Sequence, residues 1–140
     1  MRLRFLLDTN VLSEPTRPTP SARVLDQLRR HTGTLATASV VWHELWSGVR
    51  RLPGSRRRTL LESYLHGLRQ SDLEILEYGS RAADWHATER ARLSGQGIST
   101  AFADGQVAAV AATSGLVLVT RNTRDFAMFS GLEVEDWWAD

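Results

Sequence analysis

No cysteine and no lysine occurs among the 140 residues, and all seventeen basic side chains are arginine. The first absence excludes thiol nucleophiles, disulfide frameworks, thiolate zinc sites and iron–sulfur clusters. The second excludes chemistry that turns on an ε-ammonium: a Walker A phosphate loop, a Schiff base, a pyridoxal anchor. Catalysis is left to carboxylates, histidine, hydroxyls and arginine. Neither sign of charge dominates, since sixteen acids against seventeen bases give a net charge of +1, and net charge therefore points to no partner. Long apolar runs are also missing. Arg2 and Arg4 precede Phe5–Leu7, which Asp8 ends far short of a membrane span, so the chain is expected to be cytoplasmic and free of the membrane. What is present, 42% hydrophobic residues, suits one compact domain over 1–140.

Phe5-Leu6-Leu7 followed at once by Asp8 reads as a buried parallel strand and its carboxyl end. Pro15, Pro18 and Pro20 make Ser13 to Ser21 a loop, with Ser21 the cap of a helix carrying Val24, Leu25 and Leu28. Thr34 to Val41 reads as a second strand leading into a helix around His43 and Glu44. Leu52-Pro53-Gly54-Ser55 breaks the chain, and a third helix is predicted from about Arg57 to Arg69. Leu73–Leu76 is a short strand, and Ser80 is placed as the cap of a helix ending at Gly95-Gln96-Gly97. Ala101–Thr113 is the next helix, Leu116–Val119 the next strand, and Leu132–Val134 an edge strand. This alternation predicts an α/β sandwich around a mostly parallel sheet flanked by helices, with ligands at the strands' carboxyl ends.

Asp8, Glu44, Asp104 and the Asn122–Asp125 loop all fall at that edge. Singly, each acid has a structural reading: Asp8 and Asp125 as caps, Asp104 as a complement to a helix dipole. Glu44 lies between Trp42 and Trp46 among apolar neighbours, which predicts burial and a cationic partner, either an arginine or a metal ion. Jointly, converging acids repel one another unless a cation compensates them. Hard oxygen ligands without cysteine or spaced histidines select Mg²⁺, or Mn²⁺ in its place, over zinc. Such an ion activates water for attack on a phosphodiester.

The segment Leu6-Leu7-Asp8-Thr9-Asn10-Val11-Leu12-Ser13-Glu14 resembles the opening of PIN-domain proteins, especially VapC-type ribonuclease toxins. His43-Glu44-Leu45 with Gly48-Val49, Ala103-Asp104-Gly105-Gln106-Val107-Ala108-Ala109, and Thr120-Arg121-Asn122 through Asp125-Phe126 are similar to the family's later motifs, in order. The resemblance implies a PIN-like three-layer sandwich and a Mg²⁺-dependent endoribonuclease. It also implies the toxin of a toxin–antitoxin pair, held inactive by a VapB-like antitoxin and usually a homodimer. By position, Asp8, Glu44 and Asp104 match the metal-binding acids, and Asn122 stands where many members have a fourth acid. Asp125 is either a substitute for that acid or a cap, and the cap is the expectation. Thr9 is placed beside the metal water. Asp8→Asn is expected to abolish cleavage with the fold intact or steadier.

Other signals weigh less. His43-Glu44 opens the zinc-protease pattern, but Ser47 stands where its second histidine belongs. His31, His66 and His86 read as surface or packing residues. Arg50, Arg51 and Arg56, in a stretch without nearby acids, and Arg121 after the later strand, are the expected contacts to RNA phosphates. Trp42, Trp46 and Trp85 read as core, with one of them a candidate for an antitoxin groove. The rival reading is a PIN-like RNA- or protein-binding module whose catalysis the Asn122 departure has weakened. Phosphoryl transfer by a receiver or dehalogenase-like domain ranks last, for want of lysine.

Overall fold

The computed structural model describes residues 2–139. Phe5–Leu7 forms the central strand, β1, and its three side chains are all buried, as a parallel strand covered on both faces requires. Leu35–Ala38 (β2) and Val117–Val119 (β4) flank it, so that Phe5 stands opposite both Leu35 and Val117. Glu74–Leu76 (β3) pairs with β2, and Val134–Glu135 (β5) pairs with β4. The order is β3-β2-β1-β4-β5 and every pairing is parallel. Strand order therefore reverses at β1. A crevice outside the carboxyl ends of β1 and β4 is where such a sheet places ligands.

Among the described residues six α-helices join the strands: Thr9–Ser13 (α1), Ala22–Arg30 (α2), Ser39–Arg50 (α3), Arg56–Arg69 (α4), Ser80–Gly95 (α5) and Phe102–Thr113 (α6). Ser21 caps α2 by accepting from the Val24 amide, as its sequence position predicts. α6 is built of small residues, and Ala108, Ala109 and Ala111 are fully buried on it. It stops in a Schellman motif: the Gly115 amide reaches Ala112 and the Leu116 amide reaches Ala111. The φ of 67° at Gly115 is a left-handed conformation that favours glycine, and it turns the chain straight into β4.

Three expectations need correction. The second strand ends at Ala38, not Val41, because α3 begins at Ser39 and takes Val40 and Val41 into its first turn. Gly79 rather than Ser80 is the cap position of α5; Ser80 is already helical and makes no capping bond. A one-turn helix, α1, follows directly on Asp8, and Glu14–Thr16 continues it as a 3-10 turn inside the expected loop.

α5 carries a buried acid outside the crevice. Glu89, 6% exposed, accepts two hydrogen bonds from Arg92, at 2.8 and 2.9 Å, and two more from the amide and hydroxyl of Ser130. These bonds, Arg92 foremost, pull its carboxyl down from 4.5 to about 2. A depressed pKa stabilises the fold above the unfolded value and loses that effect as pH falls towards the folded one. Glu89→Ala is expected to cost about 2 kcal/mol at pH 7. Urea denaturation should show the difference shrinking between pH 4.5 and about 2.

Candidate active site

Asp8 leaves β1 and is the N-cap of α1, one carboxylate oxygen accepting from the Thr9 amide at 2.8 Å. Its other oxygen accepts from the Thr120 hydroxyl at 2.9 Å. Thr120 follows β4 and is fully buried; its oxygen also accepts from the Asn10 side-chain amide at 3.3 Å and from the Asn122 backbone amide at 3.1 Å. One proton and two lone pairs are all a hydroxyl has. Thr120 is thus saturated, and it clamps β1 to β4 where the strand order reverses. Asn10 completes the clamp by accepting from the Arg121 amide at 3.1 Å. Glu44 extends from α3 and accepts from the Thr9 hydroxyl at 3.1 Å. Asp104 sits in the first turn of α6.

These acids act on one another. Asp8 is raised above the ordinary carboxylate range by burial, against the lowering effect of its Thr9 and Thr120 bonds, with Glu44 and Asp125 raising it further. Asp104 is pushed up to about 6, by burial first and then by Asp125, Asp8 and Glu44. Four carboxylates from four separate stretches of chain therefore raise one potential. Among the described residues no arginine forms an ion pair with any of them. Nor, among the described residues, do three acidic or histidine side chains already stand in an arrangement that holds a metal ion directly. The donor set nevertheless fits Mg²⁺ in its chemistry: oxygen only, net negative, and few ligands needed, because Mg²⁺ keeps several waters and engages one or two carboxylates.

Several single-residue expectations change. Glu44 is exposed, so it needs no buried counter-charge; Trp42 and Trp46 occupy the other side of α3, where Arg69 and Arg50 lie over their rings. Asp125 makes no capping bond and acts electrostatically on Asp8 and Asp104. Asn122, exposed, joins the site through its backbone amide on Thr120. The basic stretch has an acid after all, since Glu62 lies 3.6 Å from Arg58. Arg50 stacks on Trp46, Arg51 binds the Ser47 carbonyl, Arg121 covers Trp138, and Arg56 opens α4 and is exposed. The arginines that share a groove with Thr9 and Glu44 are instead Arg17 and Arg57. Sequence reasoning also missed Thr120; its one signal was a threonine directly after the strand that precedes Asn122.

Thr120→Val keeps the shape and removes the clamp. Asp8 then loses a hydrogen bond that favours its ionised form, and its carboxyl should rise further. A cation held by Asp8 would then bind about tenfold more weakly. Titrating the Asp8 carboxyl by NMR would check the cause.

The PIN domain model matches residues 5–131, and the chain belongs to that family. It is 32% identical to the tRNA(fMet)-specific endonuclease VapC of Shigella flexneri, over 96% of this chain and 98% of that protein. It is 36% identical to toxin FitB of Neisseria gonorrhoeae, over 87% of this chain and 90% of that one. The crystal structure of FitAcB from Neisseria gonorrhoeae superposes with a TM-score of 0.86 at 31% identity, covering 97% of this chain and 99% of that one. The expected fold, a parallel sheet flanked by helices, is the observed one. No helix of the described residues is long and apolar enough to cross a membrane.

Proposed function

We propose that the chain, one domain over 1–140, is a Mg²⁺-dependent endoribonuclease of the cytoplasm and the toxin of a toxin–antitoxin pair, with Mn²⁺ able to replace Mg²⁺. One observation carries this reading: Asp104 is pushed up to about 6, by burial first and then by three other acids, and among the described residues no arginine is ion-paired to any of the four. Carboxylates that raise one another at the carboxyl-end crevice of a parallel sheet nominate it as the functional site. The names of the nuclease and toxin relatives support the substrate and the biological role.

Asp8, Glu44 and Asp104 would hold the ion, directly or through its waters, and when bound it lowers the pKa of a water and offsets charge on the phosphodiester. The rest falls to the protein. The Thr9 amide and the Thr120 hydroxyl fix the two Asp8 oxygens, and the Thr9 hydroxyl orients Glu44. Asp125 supplies the negative charge that the neutral Asn122 does not. Arg17 and Arg57, which line the same groove as Glu44, attract the RNA backbone to that edge, and the exposed Arg56 and Arg121 add to the positive charge. Arg50 and Arg51, engaged with Trp46 and Ser47, are left a smaller part.

The same groove, about 460 Å³ and lined by Leu45, Val49, Leu52 and Leu61 beside those polar groups, suits an antitoxin segment with an apolar face. The toxin itself is proposed to be a homodimer. Incubation of the purified protein with total RNA tests the enzyme reading. Cleavage with Mg²⁺ that EDTA abolishes is expected; a salt-sensitive RNA shift without cleavage at any metal concentration would favour the binding module instead.

A further inference from the structure

His86 does more than fill space. It lies on α5 with 2% of its surface exposed, and its Nδ1 is 2.9 Å from the Tyr78 hydroxyl. Its Nε2, equally buried, has no hydrogen-bond partner among the described residues. An apolar side chain of the same size would fill this place without leaving a buried polar atom unpaired. Burial, and then the Arg90 charge, hold the ring below the ordinary histidine range, so it is a neutral imidazole at neutral pH.

What the ring meets is Gly105. A Cβ built there would come within 2.7 Å of His86 Cδ2 and 3.0 Å of Cε1, and would overlap Nε2. The imidazole therefore occupies the volume that any other residue at position 105 would use. The ring is tethered where it sits: Tyr78 holds Nδ1, and the Phe102 ring packs against it at 4.9 Å. Tyr78 belongs to the segment that leaves β3 at the carboxyl edge of the sheet. A rigid link thus runs from that segment, through a flat ring, to the first turn of α6 at the residue next to Asp104.

We propose that His86 is a positioning residue for Asp104: seated on the bare backbone of Gly105, it fixes how closely α5 and α6 approach and so where the Asp104 carboxylate is held relative to Asp8 and Glu44. The inference rests on the reading of Asp104 as a ligand of the catalytic cation. Its logic is geometric complementarity, because removing the ring and adding a methyl group at Gly105 are opposite errors in the same space.

The test compares the wild-type chain with His86→Ala, Gly105→Ala and the double variant, all assayed well below their unfolding temperatures. Mn²⁺ binding is read by the loss of free-ion EPR signal, and RNA cleavage gives kcat and KM separately. Each single variant is expected to bind Mn²⁺ about tenfold more weakly and to lower kcat with little change in KM. The double variant should recover most of both losses, because the new methyl enters the vacated volume. Tyr78→Phe, which removes only the hydroxyl that anchors the ring, should show a smaller loss of the same kind and serves if Gly105→Ala does not fold. Single variants that lose thermal stability but keep wild-type Mn²⁺ affinity and kcat would reduce His86 to a packing residue and overturn the proposal, as would a double variant no better than the worse single. Failure of the wild-type chain to bind Mn²⁺ would overturn the reading of Asp104 itself, and this inference with it.

Discussion

Asp104→Asn is expected to lower RNA cleavage at least about a thousandfold while making the protein more stable at neutral pH. The two effects have one cause. In the folded chain the Asp104 carboxyl is raised from 3.8 to about 6, and no described group donates a hydrogen bond to its side chain. A raised acid destabilises the fold only when ionised, so the penalty is absent below pH 3.8, grows between there and about 6, and is complete above. A shift of that size corresponds to about 3 kcal/mol, which partial exposure screens to about 1–2 kcal/mol. Urea denaturation should therefore show the variant above wild type at pH 7.5 and equal to it at pH 3.5. Equal stabilisation at both values would contradict the electrostatic cause.

Asp8→Asn is expected to silence cleavage to the same degree and to give no matching gain in stability. Both Asp8 oxygens already accept hydrogen bonds, from the Thr9 amide and the Thr120 hydroxyl. An asparagine keeps one acceptor and turns an N–H₂ towards the other donor. Thr120 cannot receive it, because its lone pairs are taken by Asn10 and Asn122. The mismatch costs about 1–3 kcal/mol, enough to cancel the relief of charge. The sequence alone suggests that Asp8→Asn leaves the fold intact or steadier; the hydrogen bonds around Thr120 argue against the second of these. Thermal melts of the two variants side by side should place Asp104→Asn above wild type and Asp8→Asn at or below it.

The parts of the fold that were legible are those with a strong local signal. Phe5–Leu7 is apolar on both faces and stops at an acid, Ser21 is followed by a helical pattern, and Gly95-Gln96-Gly97 marks a helix end. α1 was not, because five residues are too few to display a helical period. The boundary at Ser39 was obscured by Val40 and Val41, whose β-branched side chains favour strands until tertiary packing decides otherwise. At the site, the acids were readable because Asp8 directly follows β1, Glu44 lies in the helix that follows β2, and Asp104 lies near the start of the helix that precedes β4. The exposure of Glu44 was not, since it depends on which side of α3 faces α4 and the core. Thr120 was invisible for a different reason: its role arises from side chains 112 and 110 positions away, at Asp8 and Asn10. His86 read as packing, and nothing in the sequence reveals that its ring rests on the one residue of α6 without a side chain.

At the centre of the proposed chemistry is a cation shared by acids that otherwise repel. Its most direct test is the folding stability of the wild-type chain and of Asp104→Asn, each measured by urea denaturation at pH 7.5 with and without Mg²⁺. At a hundred times its dissociation constant, an ion bound only by the folded state stabilises by about 2.7 kcal/mol. The wild-type chain should gain on that scale and the variant little or nothing. No gain in wild type, or the same gain in both, would contradict it.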